Sequence, residues 1–187
     1  KRRSSHSAVN GGRVNGYIVQ SDGSFTADVP SALADGDYSV IASVTDTAGN
    51  AGTANDTGSV DTVAPTLTIS SDDANLIAGE TATITFKFSE AVTGFAGGIV
   101  TTGGSIDPTT LTSTDGGITW TATFTPDSNY DGAATITVAA NSYTDLDGNP
   151  GTGNSLNLAV DTDAPELTSI SSDDANLIAG ETATITF

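Results

Sequence analysis

The sequence predicts an all-β protein built from sandwich-type units repeated in tandem. Three observations predict it: an internal duplication, apolar residues that alternate with threonine, and turn residues that separate these alternating runs. The duplication has a period of about 100 residues, which fits an independently folding domain and is too long for a solenoid unit. About seven short antiparallel strands in a unit of this length are typical of an immunoglobulin-like β-sandwich.

The duplication sets the domain boundaries. Residues 69–86 recur letter for letter as residues 170–187, residues 60–65 (VDTVAP) recur as 160–165 (VDTDAP), and residues 45–53 resemble 144–152. We therefore expect one complete unit, residues 63–163, flanked by two partial units. Residues 1–62 are the C-terminal part of a preceding repeat with an unpatterned N-terminal tail, and residues 164–187 are the first two strands of the next repeat. The chain reads as a piece of a longer protein.

Seven strands, A to G, are predicted in the complete unit from the alternation of apolar and polar residues. Strand B shows the pattern most clearly, because Ala82, Ile84, Phe86 and Phe88 share one side and threonines occupy the other. Trp120 is expected in the core, and residue 130 at a corner of the sandwich. The predicted bounds are A 66–70, B 81–88, C 95–101, D 109–113, E 118–125, F 133–140 and G 155–161.

The partial units are predicted by the same register. The front piece has an Asp22-Gly23 hairpin, a strand F whose inward face begins at Tyr38, and a strand G that ends at Val60, but it has no recognisable strands A and B. The tail supplies strands A and B and lacks everything they would pair with. One hypothesis is that these tail strands pair with the front unit of another copy, as exposed edges tend to.

The charge balance excludes several function classes. The formal net charge is −18, and from residue 14 onward only Lys87 opposes 23 acidic residues. Such a surface repels phosphate backbones and anionic lipids, so we expect no nucleic-acid partner. No apolar run approaches the roughly 18 residues of a membrane-spanning helix, so we expect no direct membrane insertion.

The residues that most catalytic sites need are missing. The chain has no cysteine, which excludes disulfides and thiolate nucleophiles, and His6 is its single histidine. Ser-His-Asp arrangements and histidine-based metal catalysis are therefore not expected, and we predict that the protein is not an enzyme.

Several segments resemble the bacterial Ig-like repeats that occur in tandem in very large surface adhesins. These segments are the two VDTxAP linkers and residues 34–38 (ADGDY), 88–92 (FSEAV) and 115–122 (DGGITWTA). The family includes biofilm-associated and RTX-type adhesins exported by type I secretion. The resemblance implies an extender segment on the bacterial cell surface that supports cell adhesion or biofilm formation. It also implies that neighbouring repeats are its partners, that calcium stiffens it, and that other domains contact the adhesive target.

Two alternatives to the extender remain open at this point. In the first alternative, loops of the complete unit recognise a glycan or a host protein directly. In the second, the unit is a spacer of a secreted hydrolase.

Sandwich topology predicts which acidic residues meet at the two linkers between units. The AB and EF loops lie at the exit end of a unit, and the BC and FG loops lie at the entry end of the next one. Carboxylates gathered with almost no basic residue nearby favour a hard cation with oxygen ligands, for which Ca²⁺ is the best candidate. The plain alternative is that Asp-Gly and Asp-Asn pairs are ordinary turn formers. The first linker gathers Asp35, Asp37, Asp61, Glu90, Asp145, Asp147 and Asn149; the second gathers Asp72, Asp73, Asp127, Asp131, Asp161 and Asp163.

Overall fold

A computed structural model describes the backbone of residues 4–9 and 12–17 and all atoms of residues 24–29, 31–46 and 48–187. The predicted Asp22-Gly23 hairpin lies outside these residues. The chain divides into two compact units, a front unit of residues 1–64 with 147–149 and a second unit of residues 65–146 with 150–187. Among the described residues, no helix is long and apolar enough to span a membrane.

The front unit contains one antiparallel sheet of four strands in the order β2-β1-β3-β4. Its strands are β1 (Ser4–Val9), β2 (Gly12–Tyr17), β3 (Gly36–Thr45) and β4 (Ala51–Val60). The predicted strands F and G are β3 and β4, and they pair from Gly36↔Val60 to Thr45↔Ala51. β1 pairs antiparallel with β3, from Ser4↔Thr45 to Val9↔Val40.

The second unit is a sandwich of two sheets. One sheet has the order β10-β12-β7-β5 with β11 added to β12, and the other has the order β6-β15-β13-β9. The short strands β8 and β14 pair separately. The bounds are β5 Leu67–Ser71, β6 Asn75–Ile77, β7 Ala82–Phe88, β8 Val92–Thr93, β9 Ile99–Thr102, β10 Gly104–Ile106, β11 Thr112–Ser113, β12 Thr119–Pro126, β13 Asp131–Val138, β14 Thr144–Asp145 and β15 Asn154–Asp161.

The core of this unit lies between the two sheets. Phe86 and Phe124 enter it from one sheet and Ile136 from the other, and all three are fully buried. The threonines of β7 and β12 alternate with these residues and lie on the outer face, as the period of a strand requires. Trp120, predicted in the core, packs against it while only half-buried, and its indole N–H donates to the Gly117 carbonyl at 3.1 Å. Ile118, which the alternation of predicted strand E places on the inward face with Trp120, is instead 37% exposed.

The predicted strands differ from the observed ones mainly at C and D. The start of predicted strand C is a 3₁₀ helix, Phe95–Gly98, followed by β9. The start of predicted strand D is a second 3₁₀ helix, Pro108–Thr110, which Asp107 caps by accepting the Thr109 N–H at 2.8 Å. Buried Phe95 stacks edge-to-face on Phe86 at 4.9 Å, so core packing rather than strand pairing fixes this segment. The other predicted strands are observed with bounds shifted by one or two residues.

The first strand of the sandwich is split between the two sheets. β5 pairs antiparallel with β7, and after a turn at Ser71–Asp73 the chain continues as β6, which pairs parallel with β15. The N–H of Ala159 in β15 donates to the carbonyl of Ala74 at 2.9 Å. Leu76, the central residue of β6, is thereby buried among the core residues. This split was not predicted from the sequence.

The tail contains two short paired strands, β16 (Ser171–Ser172) and β17 (Ile185–Thr186). It repeats the local hydrogen bonds of its duplicate in the complete unit. Asp173 accepts the Thr184 N–H at 2.8 Å, as Asp72 accepts the Thr83 N–H at 2.7 Å. The tail therefore repeats the local contacts of its duplicate, and its assignment to a further repeat stays a prediction.

Candidate functional site

Two carboxylates of the second unit, those of Glu90 and Asp145, have oxygens within 4.8 Å of each other. Glu90 is half-buried, and Asp145 is only 3% exposed, which makes it the one buried charged side chain in the described part of the chain. Two negative charges this close repel each other, and burial weakens the screening by water. A hard cation with oxygen ligands relieves such repulsion, so the pair is a candidate cation site.

Asp145 is held in place by a short ladder and a buried tyrosine. It lies in β14 opposite Val92 of β8, and the following loop is closed by a hydrogen bond from the Gly151 N–H to the Tyr143 carbonyl at 2.9 Å. The Tyr143 hydroxyl donates to the Thr152 carbonyl at 2.7 Å. Burial raises the pKa of Tyr143, so the phenol stays neutral and keeps this bond. These contacts fix the backbone from which Asp145 projects.

Glu90 is positioned by the beginning of the sandwich. The Thr66 N–H donates to the Ser89 hydroxyl at 3.0 Å, and the Ser89 N–H donates to the Thr66 carbonyl at 3.0 Å. The preceding residue, Phe88, donates its N–H to the Ile118 carbonyl at 2.8 Å. The turn that carries Glu90 is therefore tied to two neighbouring segments of the same unit.

The other residues predicted at the first linker are placed as follows. Asp35 accepts both the N–H and the hydroxyl of Thr62, at 2.8 and 2.7 Å. The Asp61 side chain accepts the Val63 N–H at 2.9 Å, and its main-chain carbonyl accepts the Asn149 amide at 3.0 Å. Those contacts lie within the front unit, which includes residues 147–149. The remaining two predicted residues, Asp37 and Asp147, are exposed.

Two residues predicted at the second linker accept backbone N–H groups of their own unit. Asp72 accepts the Thr83 N–H at 2.7 Å, and hydrogen bonding to Thr83 lowers its pKa below the usual value of 3.8. Asp73 accepts the Asn75 N–H at 2.9 Å. Both carboxylates thus have local structural roles that the sequence pattern does not distinguish from metal ligation.

The remaining second-linker residues lie along the end of the β13·β15 ladder and in the loop before it. Asp131 and Asp161 are cross-strand partners, both exposed, and the Asp161 side chain accepts the Asp163 N–H at 3.2 Å. Asp127 is exposed, and its carbonyl accepts the Thr162 hydroxyl at 2.8 Å. Within the residues that the structure describes, no three of the six second-linker carboxylates lie close enough to share an ion.

Tyr143 and Gly151 support the site and were not singled out from the sequence. A signal for Tyr143 was available, because it precedes Asp145 by two residues and a strand places such residues on the same face. A buried aromatic residue at that spacing predicts that the aspartate is buried as well. Gly151 is required by space: a Cβ there would overlap the Tyr143 ring.

Two family models match the chain, and both are described as a bacterial Ig-like domain. One covers residues 61–160, which is more than half of the chain, and the other covers residues 4–62. Their boundary falls at the first predicted linker, so the tandem arrangement inferred from the duplication agrees with the family matches. No curated protein matches the chain.

The solved structures that match the chain include two of a surface-layer protein and one of SGBP-B from a glucan utilization locus. The crystal structure of the S-layer protein rSbsC(31-844) shares 18% identity over 92% of this chain, with a TM-score of 0.39. Domains 4–9 of SbsC share 19% identity over 94% of it, with a TM-score of 0.29. SGBP-B of the Bacteroides ovatus mixed-linkage glucan utilization locus, in complex with a heptasaccharide, shares 18% over 86%, with a TM-score of 0.26. The chain spans 22%, 24% and 38% of these three structures, respectively.

Proposed function

The chain belongs to the bacterial Ig-like domain family, and on that premise we propose that it is an extender segment of a bacterial cell-surface protein. The observation that carries the proposal is the tandem duplication of family domains, with an 18-residue segment repeated without change. Related units joined end to end add length to a protein without adding a new binding surface. A string of such units suits the task of projecting a distant domain away from a cell.

The finer proposal is that the larger protein is an adhesin and that this segment supports adhesion or biofilm formation. The acidic surface supports an extracellular spacer, because a net charge of −18 keeps repeated domains soluble and opposes their non-specific association. Neither family match describes an enzyme, and the described residues hold no arrangement that we interpret as catalytic.

Calcium is proposed as the ion that stabilises the entry end of the complete unit. Glu90 and Asp145 are the ligands proposed on geometry, because their oxygens lie within 4.8 Å. Asp61 is proposed as a third ligand, because the sequence pattern assigns it to the first linker together with Glu90 and Asp145. Calcium would neutralise the charge of the buried Asp145 and relieve its repulsion with Glu90.

The extender function is tested on intact cells of the source organism. Antibodies raised against the 187-residue chain should label the cell surface, and external protease should remove that signal without cell lysis. Labelling that requires permeabilised cells would refute the proposal. A glycan array probed with the same chain distinguishes the binding alternative, because a reproducible hit would favour direct recognition over a spacer.

The calcium proposal is tested by thermal unfolding followed through the single tryptophan, Trp120. Extracellular modules bind calcium with Kd values of about 10⁻⁴ to 10⁻³ M. At about 10 mM calcium, this range corresponds to roughly 1.4 to 2.7 kcal/mol of stabilisation. The melting temperature should therefore rise by roughly 6 to 20 °C relative to EDTA.

Variants identify the proposed calcium ligands. Asp145→Asn and Glu90→Gln should each remove most of the calcium response, whereas Glu166→Gln, at an exposed tail position, should retain it. Equal melting temperatures of the wild-type chain in calcium and in EDTA would refute the calcium site and leave the extender function intact.

A further inference from the structure

We propose that Tyr143 positions Glu90 and Asp145 for calcium and couples calcium binding to the anchoring of Pro65, the residue at which the chain enters the complete unit. The inference rests on the calcium site proposed above and assigns the side chain that holds its two halves together. Tyr143 is 2% exposed, and it contacts the segments that carry both ligands as well as the beginning of the unit.

The ring of Tyr143 lies against the segment that carries Glu90. It packs edge-to-face on the ring of Phe88, with the two centroids 4.9 Å apart. Phe88 precedes Glu90 by two residues, just as Tyr143 precedes Asp145 by two residues. Phe88 is buried and also packs edge-to-face on Phe95, at 5.0 Å, so its ring is held from a second side. The contact between the two rings therefore joins the ligand segments at equivalent positions.

The hydroxyl of Tyr143 reaches the beginning of the unit. It donates to the Thr152 carbonyl at 2.7 Å and lies 3.4 Å from the Pro65 carbonyl. The Thr152 N–H donates to the same Pro65 carbonyl at 3.0 Å. The residue after Pro65 forms the two hydrogen bonds that hold the Glu90 turn. The hydroxyl thus connects the Asp145 segment to the Glu90 segment by a second route.

These contacts complete a site that is held from two sides. On one side the backbone pairing of β8 with β14 places Asp145 opposite Val92, which follows Glu90 by two residues. On the buried side, Tyr143 fixes how far apart the same two segments lie. Ligands held in this way need little rearrangement when an ion binds, which favours affinity. By reciprocity, an ion that bridges the ligands stabilises the contacts of Tyr143, including those to Pro65.

The positioning role is tested by calcium titrations of the isotopically labelled 187-residue chain, followed by NMR at a temperature at which every variant is folded. Tyr143→Phe should raise the Kd for calcium by about threefold to tenfold, less than for a residue bonded directly to a ligand, because the hydroxyl acts through the backbone. Tyr130→Phe is the matched control. It also removes one hydroxyl bond to a main-chain carbonyl, that of Ala133 at 2.9 Å, and should leave the Kd unchanged.

The coupling to Pro65 is tested by hydrogen exchange of the Thr152 N–H, the donor to the Pro65 carbonyl. For a Kd of about 10⁻⁴ to 10⁻³ M, calcium at about 10 mM should slow this exchange by about tenfold to a hundredfold, because opening would break the bound site. The slowing should be smaller in Tyr143→Phe, by the same factor as its rise in Kd. The Thr162 N–H, which donates to the Tyr130 carbonyl at 2.8 Å, is the control amide and should not respond.

The outcomes separate this proposal from the calcium site itself. Equal Kd values for the wild-type chain and Tyr143→Phe would overturn the positioning role and leave the calcium site intact. An equal rise in Kd for Tyr130→Phe would overturn it too, since any lost hydroxyl bond would then have the same effect. Exchange at Thr152 that ignores calcium would overturn the coupling. A wild-type chain that binds no calcium would overturn the site and this proposal together.

Discussion

The duplication gives a stability experiment with its control inside the same chain. Ile84 and Ile185 are the same residue in the same 18-residue segment, but Ile84 is 0% exposed and Ile185 is 48% exposed. Replacing a buried isoleucine by alanine costs about 2 to 5 kcal/mol, because apolar contacts are lost and a cavity remains. For a unit of about 100 residues, a loss of about 3 kcal/mol lowers the melting temperature by roughly 12 to 24 °C.

Ile185→Ala should change stability by no more than about 0.5 kcal/mol, the range typical of surface positions. Both variants are measured by thermal and urea unfolding followed through Trp120, which lies in the complete unit, at protein concentrations low enough to avoid association. Equal losses in the two variants would refute the reasoning, because they would mean that the tail packs as fully as its duplicate. A negligible loss for Ile84→Ala would instead contradict the two-sheet core.

Three further predictions concern the loops of the complete unit. Asp115 accepts the Thr119 N–H at 2.8 Å, and its pKa is lowered by hydrogen bonding to Thr119, so the stability it contributes is present above its unfolded pKa of about 3.8 and lost as the pH falls through the folded value. Asp115→Asn should flatten the dependence of melting temperature on pH below about 4, and an unchanged profile would contradict this role. Gly151→Ala should cost about 1 to 3 kcal/mol in urea unfolding, because the new Cβ overlaps the Tyr143 ring, while Gly97→Ala, with open space around it, should cost little. Tyr143→Phe should cost about 1 kcal/mol through the lost hydroxyl bond, and it should reduce the loss of stability above about pH 10, since the raised pKa of Tyr143 favours folding only while the phenol is neutral.

Strands with regular alternation were predictable from the sequence. The predicted strands B, E, F and G agree with β7, β12, β13 and β15 to within two residues, because apolar and polar positions alternate along each of them. Short or non-strand segments that enter the core show no such alternation. Phe95 enters the core from a 3₁₀ helix, and β6 has only three residues, so neither produces a period long enough to recognise.

The candidate site was predictable in part, since sandwich topology assigned Glu90 and Asp145 to the same end of the unit. The distinction between ligand and turn former was not predictable. Asp72 and Asp73 follow the same Asp-rich pattern, yet their carboxylates accept backbone N–H groups of their own turn and of β7. An aspartate side chain serves either purpose with the same oxygens, and only the position of nearby donors decides which.

The split first strand determines how the complete unit responds to tension. β6, near the beginning of the unit, runs parallel to β15, near its end, so a pull on the two ends of the unit slides these strands past each other. Their hydrogen bonds then lie across the direction of the force and share it, rather than opening one after another. In the proposed extender, a pull along the chain passes through the complete unit, and this three-residue strand is where that unit resists it.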